Sequence, residues 1–142
     1  AFDRRRERLR RRRLLAALRY SEPLLQVIEG RKAYPDYLKL LARHKIVFQL
    51  DASAVPGQVA GDALLCRVPC IGGNGTTERL VFPNLCGHGR THEQLFDLAA
   101  RLLEHPHDCE ALSNEAVQLA NDRLSFKRVA RQLEEFFNRI AR

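Results

Sequence analysis

No apolar run in this sequence approaches the ~20 residues a helix needs to cross a bilayer, and the N-terminal arginines lead into no signal-type core or cleavage site. The pattern predicts a soluble, cytoplasmic chain, with membrane contact limited to peripheral attachment. Methionine is absent, position 1 included, so a piece of a longer protein is expected. Cysteine is sparse: Cys66, Cys70, Cys86 and Cys109 occupy core-like and loop positions, unlike the dense spacing of a small secreted scaffold, and reduced thiols are expected. No Ser-His-Asp or Cys-His nucleophile arrangement can be defined from the spacing. Internal repeats are missing too.

What remains is an ordinary globular composition. With 142 residues, 45% hydrophobic and 29% charged, one core is expected, burying roughly 70% of the surface that the unfolded chain exposes. The net charge of +7 is concentrated at one end. Residues 1–13 hold eight arginines against Asp3 and Glu7, leaving 16 basic and 15 acidic residues elsewhere. The electrostatic steering therefore belongs to a basic helical arm, residues 1–20. Only Leu9, Leu14, Leu15 and Leu18 offer it large apolar side chains, and arginines at a helix N-terminus oppose the macrodipole. A solvated or frayed arm is the plain reading; an acidic partner, a membrane surface or, more weakly, nucleic acid are the alternatives.

Ser21-Glu22-Pro23 restarts the chain as a second unit, residues 21–142. The following LLQVI fits a short helix or a short strand equally well. Tyr34–Arg43 predicts an amphipathic helix with Tyr37, Leu38, Leu41 and Ala42 on one face. Ile46–Leu50 is apolar and β-branched except for Gln49, the pattern of a strand covered on both faces. A small-residue helix over Gly57–Cys66 and a strand over Val68–Ile71 complete a parallel βαβ unit. Thr76–Pro83 reads as a helical turn finishing in a third, edge strand. Thr91 then caps a helix running to Glu104, His105-Pro106-His107 breaks the chain, and helices follow over Asp108–Asn121 and Ser125–Ala141. The last is expected to carry Val129, Leu133, Phe136, Phe137 and Ile140 inward.

Two loops follow the two strands, and both suit a phosphate-bearing ligand. A helix beginning at Gly57 directs unpaired N–H groups and a partial positive charge at the first loop, where Ser53 adds a hydroxyl. In the second, Gly72, Gly73 and Gly75 permit positive φ, Asn74 tolerates it, and Thr76 or Thr77 can donate to phosphate. A tight turn without ligand explains either glycine run as well. Glu78 reads as a solvated edge residue and Asp62 as a local cap or pair. His44, His105 and His107 suit helix ends, and Cys86, His88 and His92 lack the fourth ligand of a zinc site.

The words ARHKIVFQLDAS, GQVAGDALLCRVPCIGG, the Thr91 helix and the Ser125-Phe126 opening, in this order, resemble the C-terminal half of GT-B fold glycosyltransferases, group 1 in particular. The likeness runs from about Tyr34 to Arg139. It implies an α/β fold with a partial Rossmann-like parallel sheet of three or four strands, flanked by helices and capped by the C-terminal ones. It also implies a nucleotide-sugar as donor substrate, no other cofactor and no metal, an acceptor held by an N-terminal domain, and donor binding by Ser53, Gly57, Gln58, Asp62, Gly73, Asn74, Gly75 and Thr76. The family places an acidic residue, seven intervening residues and a second acid here. The second falls on Asp62, implied to accept a ribose hydroxyl; the first falls on Ala54, a departure that leaves catalytic residues unassigned. Glu78 could contact the sugar in that arrangement. The early strands and the basic phosphate-binding residues usual in the family are missing, so no turnover is expected from this chain alone. A non-catalytic transferase-like module that binds another protein is the alternative. The short parallel sheet leaves an edge unpaired, which favours self-association.

Overall fold

The computed structural model describes residues 25–28 and 30–141. The basic arm expected over 1–20 and the restart at Ser21-Glu22-Pro23 lie outside the described residues. Residues 25–28 form neither helix nor strand.

The first helix, α1, spans Tyr34–Leu41, with Pro35 in its opening turn, Asp36 near its N-terminus and Lys39 in its last turn, a charge order that suits the helix dipole. Leu41 is buried and Tyr37 and Leu38 half-buried, whereas Ala42, expected on the same face, is exposed at the C-cap. Two strands follow, β1 (Val47–Gln49) and β2 (Cys70–Gly72), paired in parallel with Val47 opposite Cys70 and Gln49 opposite Gly72. Between them lies α2 (Gln58–Leu65), whose Ala60 and Ala63 are fully buried. Such small side chains let the helix axis approach the sheet closely.

β2 begins two residues later than the sequence pattern suggests. Arg67 adopts a left-handed φ of 55° and Val68 N–H donates back to the Ala63 carbonyl at 2.9 Å, so the chain is still leaving the helix. Pro69 has no N–H for the ladder, although its carbonyl accepts from Val47 N–H at 2.9 Å.

The expected sheet of three or four strands is a two-stranded one among the described residues. Its anticipated third strand is instead helical: α3 covers Thr76–Val81. Val81, and Phe82 just beyond it, are buried against the core, and this tertiary packing overrides the β preference of the segment. The irregular chain at Leu85–Gly87 lies along β2. Gly72 N–H donates to Leu85 O at 2.9 Å, and Gly87 N–H donates to Gly73 O at 2.6 Å.

Thr91 opens α4 (His92–Glu104) with a reciprocal capping box: Gln94 N–H donates to Thr91 Oγ1 at 3.3 Å and Thr91 N–H to Gln94 Oε1 at 2.9 Å. Leu95, Ala99 and Leu102 form its buried stripe. The break at His105-Pro106-His107 is shorter than expected, because Pro106 already opens α5 (Pro106–Leu124) and Pro is well suited to a first helical turn. α5 is the common support of the molecule, packing against α2, α3, α4 and the C-terminal helix Phe126–Ile140. Leu41, Ile71, Leu85 and Leu102 are the largest side chains sealed in the core, each worth about 1.5–3 kcal/mol of burial.

The last helix, α6 (Phe126–Ile140), is capped by Ser125, which accepts Arg128 N–H at 3.3 Å. Its apolar face is outward, contrary to the expectation that it enters the core: Leu133 is 51% exposed, Phe137 63% and Ile140 65%, with Val129 and Phe136 also exposed. Helical periodicity aligns these side chains on one face but does not specify a covering surface. Among the described residues no helix is long and apolar enough to cross a membrane.

Candidate functional site

Because β1 and β2 are parallel and in register at Gln49 and Gly72, the loops that leave them start side by side. The first runs from Leu50 to the Gly57 cap of α2; the second is Gly73-Asn74-Gly75, the last of these capping α3. Asn74 Nδ2 donates to the Ala52 carbonyl at 3.4 Å, tying one loop to the other. Together they enclose a cleft of about 200 Å³. Its walls include Ser53, Gly57, Gln58, Gly73, Asn74 and Gly75, six of the eight positions that the sequence nominated.

Of the other two, Thr76 is exposed on the first turn of α3 and does not line the cleft. Asp62 points elsewhere. It is 5% exposed, and its Oδ1 accepts the Tyr34 hydroxyl at 2.6 Å, linking α2 to α1. That hydrogen bond raises the Tyr34 pKa, with burial and the Asp62 charge adding to the effect. Tyr37 is raised by burial and then by the same carboxylate. Asp62 thus has a distant partner, where a local cap or pair was expected.

Gln49, Asp51, Val55, Pro56 and Val59 also line the cleft and were not nominated, and so does Glu78, which the resemblance had allowed as a sugar contact. Asp51 Oδ1 accepts Ser53 N–H at 2.9 Å, and the bonds from Ser53 lower its pKa. This Asx turn sets the conformation of the first loop. Glu78, read as a solvated edge residue, is 2% exposed. Its carboxylate reaches back from the first turn of α3 between the two loops, where Gln49 Nε2 donates to Oε1 at 2.9 Å. Oε2 is sealed from solvent without a hydrogen-bond partner.

The glycines explain how a carboxylate fits there. A Cβ on Gly57 would overlap both Glu78 oxygens; one on Gly73 would come within 2.7 Å of Oε1; one on Gly75 would come within 2.5 Å of Oε2. Gly73 also carries a φ of 72°, which other residues rarely adopt. The sequence held signals for the burial of both Gln49 and Glu78. Gln49 is the one polar residue in an apolar strand, and Glu78 is an acid at the third position of a helix that follows a glycine loop.

Cys70 lies beneath this floor, and burial pushes its thiol up to about 12, the Gln49 hydrogen bond opposing and the Glu78 charge adding to the shift. All four cysteines are free thiols. Near the cleft mouth, His88 Nδ1 is 3.2 Å from Asn74 Oδ1, while Cys86 Sγ donates to the Pro83 carbonyl at 3.5 Å. Among the described residues no three His, Cys, Asp or Glu side chains converge as metal ligands would. His44 acts as a helix-end cap, its Nδ1 2.8 Å from Leu40 O.

A wider depression of about 330 Å³ runs along α4 between Arg90 and Arg101. It is a helix flank without a buried polar group of its own, so the interloop cleft is the better candidate. No family model matches the chain, and neither a curated protein nor a solved structure does.

Proposed function

We propose that the chain is the nucleotide-sugar-binding C-terminal part of a glycosyltransferase that moves a sugar from a nucleotide diphosphate donor to an acceptor held by another domain. The observation that carries this reading is the convergence of two glycine loops, at the ends of adjacent parallel strands, on one cleft with Ser53, Gly57 and Asn74 in its walls. Ligands of open α/β sheets bind at such strand ends. The cleft is smaller than the ~300–1,000 Å³ usual for a complete ligand site, which fits a site finished by a second domain. Binding without turnover is the expectation for this chain alone, since Ala54 supplies no carboxylate beside the sugar. Departure of the diphosphate would rely on electrostatic stabilisation in the assembled enzyme.

Calorimetric titration with nucleoside diphosphates and their sugars tests the reading. Saturable heat with at least one donor supports it; a folded sample giving no heat with any donor ends it for this chain. The outward apolar face of α6 and the neutral Ala54 favour a second reading, a transferase-like module that binds another protein without catalysis. Absence of donor binding, together with capture of a defined partner that mutation of Leu133 and Phe137 abolishes, would establish it.

A further inference from the structure

We infer that α6 is a membrane-surface helix: its apolar face docks on a leaflet rich in anionic phospholipid, and the cations beside that face meet the headgroups. The inference goes beyond the nucleotide-sugar reading and does not depend on it. Among the described residues α6 packs against α5, and every residue from Phe126 to Ile140 is exposed. Phe126 is 96% exposed, and Val129, Leu133, Phe136, Phe137 and Ile140 follow at spacings that gather all six on one side of the helix. A helix of 15 residues is marginal in water by itself. This one therefore carries a large apolar face that the fold does not use.

Charge decides what covers that face. Lys127, Arg128, Arg131 and Arg139 outnumber Glu134 and Glu135 along α6. Helical spacing puts Lys127 and Arg139 on opposite flanks of the apolar face and Glu135 near the pole away from it. Three phenylalanines with leucine, valine and isoleucine on one side, and an excess of cations on the other, make the composition of helices that lie in the headgroup region of a bilayer. Long cationic side chains at the flanks reach lipid phosphates while their stems cover apolar surface. A second copy of α6 brings the same positive excess, and the arm at residues 1–20 brings a larger one. Neither complements these cations, whereas an anionic leaflet does. At ~1.5 Å per residue the helix measures ~22 Å, short of the ~30 Å hydrocarbon core, so it lies along the surface.

Tryptophan is absent from the chain, so Phe137→Trp turns the apolar face of α6 into its own reporter. The full chain carrying it is titrated with vesicles of equal parts phosphatidylcholine and phosphatidylglycerol, and with vesicles of phosphatidylcholine alone. Emission should shift to the blue with the anionic vesicles, and brominated acyl chains should quench it. Both effects should fade in high salt and with phosphatidylcholine alone. On this background Lys127→Gln and Arg139→Gln should each weaken partitioning about fivefold. Leu133→Ser should weaken it about tenfold, its side chain being half-covered already. Arg10→Gln, Arg11→Gln, Arg12→Gln and Arg13→Gln together should leave the quenching at saturating lipid unchanged; its loss would give the membrane contact to the arm and overturn the inference. Emission that anionic vesicles leave unchanged also overturns it and returns α6 to the protein-binding reading. So does an equal shift with phosphatidylcholine, or equal partitioning of Leu133→Ser. Emission already blue without vesicles overturns it as well: dependence on protein concentration then identifies a second copy as the cover, and independence a segment of the same chain.

Discussion

Replacing Gly75 with alanine gives the sharpest probe of how the two loops are held. Its φ of −75° and ψ of 172° are open to any residue, so a penalty cannot come from the backbone angles. It must come from space. The added Cβ would stand 2.5 Å from Glu78 Oε2 and 2.8 Å from Gly57 N, and closer still to the Val55 carbonyl. The first obstacle is the end of a side chain that can turn away; the other two are backbone, so the loops themselves have to separate. Overpacking of this kind costs about 1–3 kcal/mol. Gly61 is the internal control, because it lies within α2 and a Cβ there meets nothing within 4 Å. Alanine at that position should stabilise by about 0.5–1 kcal/mol. The two substitutions are chemically identical, yet should end about 1.5–4 kcal/mol apart, a large part of the ~5–15 kcal/mol typical of a domain. Urea titration reads this as midpoints moving in opposite directions at an unchanged slope. If Gly75→Ala proved as stable as Gly61→Ala, the close apposition of the loops would be refuted.

Tyr34→Phe should destabilise, because it removes the hydroxyl donor from the buried Asp62 carboxylate and leaves that acceptor unpaired. Since folding raises the Tyr34 pKa above its usual 10.0, the hydrogen bond contributes fully below pH ~10 and is lost as pH rises through the folded value. Wild-type stability should fall there and that of Tyr34→Phe less; parallel curves would contradict the assignment. Cys70, fully buried with its thiol at about 12, should resist iodoacetamide at pH 8 until urea unfolds the chain, and rapid labelling of the folded protein would contradict its burial. Leu133→Ser on the exposed face of α6 should cost less than about 1 kcal/mol, against about 2–5 kcal/mol for Leu102→Ala in the core. Thermal melts of the two variants compare them, and equal losses would mean that α6 is covered in solution.

Local signals in the sequence carried the helices well. Thr91 with Gln94, and Ser125 ahead of Phe126, mark their helix starts because a cap is a contact between near neighbours. The parallel pair and six cleft positions were legible for a related reason: glycines and an Asn after two apolar runs have few other uses. The remainder depended on long-range packing. Thr76–Val81 carries strand-compatible residues, and its helical form follows from the burial of Val81 and Phe82 rather than from propensity. Asp62 acquired a partner 28 residues away, and Glu78 acquired a cage assembled from two loops; neither distance can be read from spacing. On α6 the period gave the apolar face correctly and said nothing of its direction.

The two margins of the sheet differ in a way that restricts how it can be enlarged. The margin at β2 is occupied by the Leu85–Gly87 segment, whereas β1 has no ladder partner on its other side among the described residues. Growth is therefore one-sided: a further strand, from this chain or another, joins at Val47–Gln49. If it runs parallel, the residues leaving it emerge beside Asp51 and Ser53, on the far side of the cleft from Asn74. Fusion of a designed strand at that margin would extend the wall formed by the first loop and leave the glycine turn at residues 73–75 untouched.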